Sequence, residues 1–216
     1  MLEDWVGKRL KLLNKETFEK SIDFKLNQKN ILVTFHSVTL ENSTAGQQFQ
    51  ELLNAIDELK DTNIIFTKVN SDTDGRIINQ MINEYVVKNP HKSIAFTSLG
   101  QLRYLSALQF IDAMVGNSSS GLTEAPSFKI GVINMGDRQR GRIKADNVID
   151  CMSNKESILK AFKELYSNKF QNALEGVKNP YGDGFASKEI IKKLKKIKLN
   201  GILKKSFYDI KIYHNK

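Results

Sequence analysis

Polar residues gather at five places in this chain, each directly after a short apolar run: His36-Ser37, Asn70-Ser71, Thr97-Ser98-Leu99-Gly100, the stretch Gly116-Asn117-Ser118-Ser119-Ser120-Gly121, and Gly136-Asp137-Arg138. The serine stretch carries the most chemistry. Small residues let a backbone approach a ligand closely. Its three hydroxyls and the free N–H groups at the start of a helix would favour an anion there, with a diphosphate as the natural guest. An ordinary serine-rich helix cap fits the same residues. The spacing is neither G-x-G-x-x-G nor a P-loop, which points away from a dinucleotide oxidoreductase and from an ATPase. Glu124 follows one helical turn later. A carboxylate there could accept both hydroxyls of a ribose or simply favour the helix N-terminus. Arg138 could pair with a phosphate through its planar fork of donors, although Arg140 and Arg142 compete for that role and all three also read as solvated loop arginines. His36 reads either as a satisfied strand-end histidine or as a ligand-facing one. Cys151 reads as a small buried hydrophobe. His91 and His214 read as surface residues.

For these groups to meet, the chain must bring the ends of its apolar runs to one edge. Residues 30–36, 63–68, 93–97, 111–115, 130–134 and 147–151 have the length and β-branching of buried strands. Between them, apolar residues recur at helical spacing: Phe49, Leu52, Leu53, Ile56 and Leu59; then Ile77, Ile78, Met81, Ile82 and Tyr85, opened by Asp72 and Asp74; then Leu102, Leu105 and Leu108. A short helix is expected through Glu124, and one long helix over 158–174. Apolar strands alternating with helices predict a parallel sheet covered on both faces, an α/β Rossmann-like doubly wound domain. In such a sheet ligands bind outside the carboxyl ends of the strands, where the five polar clusters fall. The expected division is a helical lead-in over 1–29, a nucleotide-binding domain over 30–186, and a basic helix and tail over 187–216.

The chain has 216 residues, 40% hydrophobic and 26% charged, a globular composition. It has no apolar run of membrane-spanning length and no signal-peptide core, so the expectation is a cytoplasmic protein with no membrane role. One cysteine allows no internal disulfide, and three scattered histidines make no metal pattern. The net charge of +9 is local: residues 188–216 hold ten lysines against Glu189 and Asp209, leaving +1 elsewhere. Ile190, Ile191, Leu194 and Ile197 share one helical face there, which predicts a packed helix with a solvated lysine face. No nucleic-acid partner is expected, since the charge is confined to the tail and aromatic residues are not interleaved with its lysines except Phe207, Tyr208 and Tyr213 at the very end. Steeply salt-dependent binding to random DNA would reverse that expectation.

Five motifs occur in order: VTFHSVTLEN, FTKVNSDTDGR, AFTSLGQLRYLSAL, GNSSSGLTEAPSFKIGVINMGDRQRGR and KNPYGDGFAS. Together they closely resemble UDP-N-acetylglucosamine 2-epimerases, from about residue 8 to 196. After the first strand the chain reads His-Ser-Val-Thr-Leu-Glu, where the non-hydrolysing branch usually has His-Arg-Arg-Glu-Asn. It is therefore similar to the hydrolysing branch, which feeds sialic and related nonulosonic acid synthesis. The resemblance implies the C-terminal domain of a two-domain, glycosyltransferase-type (GT-B) fold. It also implies a chain lacking the first domain, which is lost, excised or supplied by a partner chain, and full-length homo-oligomers. The implied reaction eliminates UDP from UDP-N-acetylglucosamine and adds water to give N-acetylmannosamine, without a cofactor. By motif, Ser118 and Ser119 would hold the phosphates and Glu124 the ribose. Arg138 would sit at the UDP end of the cleft, and Ser98 would contact the uracil through its backbone. Asn70 and His36 would complete the wall, His36 being the catalytic candidate of this half. The main acid and base would come from the absent domain, so the chain alone is expected to be inactive. A glycosyltransferase half and a non-catalytic nucleotide-binding module share these features.

Overall fold

The computed structural model describes residues 10–37, 44–69, 73–182, 186–201 and 204. Among them, six strands form one parallel sheet: β1 (Lys29–Thr34), β2 (Thr62–Thr67), β3 (Ser93–Phe96), β4 (Ala113–Gly116), β5 (Gly131–Met135) and β6 (Val148–Cys151). Their spatial order is β3-β2-β1-β4-β5-β6, with every neighbouring pair parallel. The order reverses between β1 and β4, and this switch point is where a doubly wound sheet opens a crevice.

The period of two along each strand divides the core. Ile31, Val33, Ile64, Phe66, Val115 and Ile133 face one side, where α2 (Ala45–Ile56), α3 (Thr73–Lys88) and α7 (Lys155–Leu165) cover them. Leu32, Ile65, Met114 and Val132 face the other, beneath α1 (Lys15–Ile22), α4 (Gly100–Ala107) and the short α6 (Ala125–Phe128). The helix expected in the lead-in is thus built into the same core as the sheet. Phe18 of α1 is wholly buried with its ring centroid 5.8 Å from that of Phe110, and the Leu13 N–H donates to Ser106 Oγ at 3.0 Å. Asn14 starts α1 by accepting from the Thr17 N–H at 2.9 Å.

Two expectations need correction. The helix predicted over 158–174 is two helices, α7 and α8 (Asn168–Leu174), because Ser167 adopts extended backbone and its hydroxyl accepts from the Phe170 N–H at 3.2 Å, capping a new start. The short helix expected through Glu124 is α5 (Ser120–Thr123), capped by Glu124, and α6 follows it directly. The basic helix α9 (Ala186–Leu194) is not packed: it buries no residue, and Ile190 and Leu194 are 57% and 61% exposed. Among the described residues no helix is long and apolar enough to cross a membrane.

Candidate functional site

The switch point is assembled by two consecutive residues. Gly116 ends β4 with φ +133°, and a Cβ there would lie 2.0 Å from the Thr34 carbonyl oxygen of β1. Only glycine lets the two strands leave the sheet so close together. Asn117 follows, 1% exposed. Its side-chain amide grips the backbone of His36 from both sides: Nδ2 donates to the His36 carbonyl and Oδ1 accepts from the His36 N–H, each at 2.7 Å. Its carbonyl accepts from Arg138 Nη1 at 3.0 Å and from Gln139 Nε2 at 2.7 Å. One buried asparagine therefore joins the loops after β1, β4 and β5. It lies in the serine stretch flagged from the sequence but received no role there; a polar residue directly after a strand glycine was the available signal.

Beside this junction lies an open cleft of about 440 Å³. Thr34 and Thr67, whose hydroxyls share a 2.5 Å hydrogen bond, line it together with Ser98, Tyr104, Ser118, Ser120 and Glu124. Three of the sequence-expected residues, Ser98, Ser118 and Glu124, thus line the same cleft. Ser118 Oγ accepts from the Ser120 N–H at 3.3 Å, which tightens the turn. The Tyr104 and Ser120 hydroxyls are hydrogen-bonded. Burial pushes the Tyr104 phenol up to about 12, against a pull downward from Ser120 and helped by the Glu124 charge. Tyr104 is therefore a neutral hydroxyl that can both donate and accept at physiological pH. The Thr123 hydroxyl donates to Glu124 Oε2.

The remaining expected residues sit differently. Ser119 occupies the position before α5, but its hydroxyl makes no capping bond. With only four residues, α5 offers N–H groups and little macrodipole. Arg138 is exposed on its loop and keeps most of its five donors beyond the one spent on Asn117. His36 is half-buried at the junction itself. Asn70 and His214 lie outside the described residues. His91 is exposed. Cys151 ends β6 on a second opening further along the same edge, with Asp137 and Asp150. Burial, with the Asp150 charge adding to it, pushes this thiol up to about 12, so it is protonated and inert. Among the described residues no group of three or more His, Cys, Asp or Glu is placed to hold a metal ion.

The family model for UDP-N-acetylglucosamine 2-epimerase matches residues 4–195. The chain belongs to this family. It is 41% identical over 97% of its length to GDP/UDP-N,N'-diacetylbacillosamine 2-epimerase (hydrolyzing) of Campylobacter jejuni, and 34% identical over 93% to polysialic acid biosynthesis protein P7 of Escherichia coli. It covers 54% and 51% of those proteins, so the epimerase-family chain spans about half the length of the curated relatives it matches. Among solved structures, a UDP-N-acetylglucosamine 2-epimerase of Listeria monocytogenes superposes with a TM-score of 0.68 at 17% identity, over 89% of this chain and 50% of that one. A UDP-glucose:anthocyanidin 3-O-glucosyltransferase superposes at 0.56 and 13% identity, over 87% of this chain and 45% of that one. The fold is thus shared by epimerases and glycosyltransferases, as expected of one half of a GT-B architecture.

Proposed function

We propose that this chain is the UDP-binding half of a hydrolysing UDP-sugar 2-epimerase. The observation that carries the reading is the convergence of Ser98, Ser118 and Glu124 on one cleft at the β1/β4 switch point of an epimerase-family chain. In this reading Ser98 lies at the uracil through its backbone, and Glu124 accepts the ribose hydroxyls. Ser118, Ser119 and Arg138 take the diphosphate, and His36 and Asn70 close the wall toward the sugar. Elimination breaks the bond from the anomeric carbon to the diphosphate oxygen as the C2 proton leaves to a base, giving a 2-acetamidoglucal. Water then adds, its oxygen to the anomeric carbon and a proton to C2, releasing the 2-epimer. Donors fixed before the reaction stabilise charge developing on the leaving diphosphate. The asparagine junction supports this role for Arg138, because its guanidinium is held by a backbone carbonyl and carries unused donors.

The sugar expected from the motifs is N-acetylglucosamine, giving N-acetylmannosamine for sialic acid synthesis, and the name of the Escherichia coli relative fits that use. A second sugar, N,N'-diacetylbacillosamine, is favoured by the identity to the Campylobacter jejuni relative. The base at C2 belongs, in this reading, to an N-terminal domain such as the longer relatives have room for. Calorimetry with UDP, ADP and NAD tests the nucleotide assignment: UDP should bind most tightly, and equal affinity for all three refutes it.

A further inference from the structure

The Asn-Pro-Tyr-Gly-Asp-Gly motif is the one sequence motif to which the cleft gives no role. Asn179 of this motif lies 56 residues from Thr123, yet its Nδ2 donates to the Thr123 carbonyl and to the Ser127 hydroxyl, each at 2.7 Å. Its Oδ1 accepts from the Tyr181 N–H at 2.9 Å, and the Tyr181 hydroxyl donates to the Ile143 carbonyl at 3.0 Å. The Thr123 carbonyl needs such a donor for a local reason. Pro126 has no N–H to offer the Leu122 carbonyl and cannot continue α5. The chain restarts as α6, and the Ser127 N–H that a continuous helix would give to Thr123 goes to the Glu124 carbonyl at 3.0 Å. Asn179 supplies the missing donor and, through Ser127, spans both short helices. The Thr123 hydroxyl in turn donates to Glu124 Oε2, sharing its proton with the Ser119 carbonyl at 3.1 Å.

We propose that Asn179 is a positioning residue for Glu124, fixing the carboxylate in the cleft by tying the end of α5 to α6 and so setting the affinity for a ribose diol. The proposal rests on the reading of Glu124 as the ribose ligand.

The test is calorimetry of the whole chain with UDP and with 2′,3′-dideoxy-UDP, which lacks both hydroxyls. Asn179→Ala, Asn179→Asp and Glu124→Ala should each weaken UDP about tenfold while changing dideoxy-UDP by less than about twofold. Asn179→Asp keeps the volume and the acceptor for Tyr181 but exchanges the amide donors for a charged oxygen, so its agreement with Asn179→Ala separates the strap from simple loss of bulk. Adding Asn179→Ala to Glu124→Ala should cost nothing further. Equal weakening of both ligands by the Asn179 variants would reduce the residue to a structural brace and overturn the proposal, as would unchanged affinity for UDP. If Glu124→Ala itself does not distinguish the two ligands, or UDP does not bind, the ribose reading falls and the proposal with it. If Glu124→Ala distinguishes them and the Asn179 variants do not, the proposal alone falls.

Discussion

At Gly116 a single hydrogen atom decides whether the switch point can exist. Gly116→Ala would place a methyl group 2.0 Å from a backbone oxygen, at a φ that L residues rarely adopt. Strain and overpacking together should destabilise the fold by about 2–5 kcal/mol, read as a lowered midpoint in urea. Ser119 and Arg138 lie in loops outside the core and Gln139 still donates to the Asn117 carbonyl, so Ser119→Ala with Arg138→Ala should stay folded with at most a small drop in melting temperature. The same pair should weaken UDP by about tenfold or more, since charge-assisted hydrogen bonds are each worth about 1.5–3 kcal/mol. Undiminished UDP affinity in the folded double variant would remove both from the proposed diphosphate site. The placement of Ser98 and Ser118 at the cleft was legible from the sequence because polar residues directly after apolar strands must emerge at one edge, and that of Glu124 because it follows the serine stretch by one helical turn. The clamp at Asn117 and the strap at Asn179 were not, because their partners lie 81 and 56 residues away and only the folded chain brings them into register.

Among the elements, α1 has a charge arrangement that makes its contribution depend on pH. Glu19, nearly buried, is held below the usual carboxylate range chiefly by Lys25 Nζ at 2.9 Å, with the Leu26 N–H at 3.0 Å adding to it. A carboxylate depressed in the folded state stabilises above its unfolded value and loses that contribution as pH falls through the folded one. The melting temperature of the native chain should therefore fall more steeply than that of Glu19→Gln as pH drops from about 5 to about 3. Parallel slopes for the two proteins would remove Glu19 from the acid response. The strands and helices of the sheet were legible because short β-branched apolar runs of four to six residues differ in length and pattern from a helical period sustained over eight or more. The break at Ser167 was hidden because Phe162, Tyr166, Phe170 and Leu174 continue the helical spacing across it. Packing, not periodicity, was misjudged at α9: an apolar stripe shows that a helix has something to bury, not that a surface is present to receive it.

For the whole molecule, the relevant quantity is half. The chain spans about half of its relatives, and the strand-end candidates for moving protons are few: His36, Asp137 and Glu124, the last assigned to ribose. A base must come within about 2.6–3.2 Å of the proton it takes, and closure over the cleft is needed to exclude water. The chain alone is therefore expected to release no UDP from UDP-N-acetylglucosamine, and an added N-terminal domain should restore turnover. Robust turnover by the chain alone would show that the catalytic groups lie within it. The uncovered helix α9 has a further, colloidal consequence. The lysines around its exposed isoleucines and leucine should repel other copies, a repulsion that reaches about 8 Å at physiological salt and about 3 Å at 1 M. Sulfate shortens that reach and at the same time strengthens apolar association. The protein should thus be dispersed in dilute buffer and cluster as ammonium sulfate is added, with light scattering rising earlier than for a chain carrying serine at Ile190, Ile191 and Leu194.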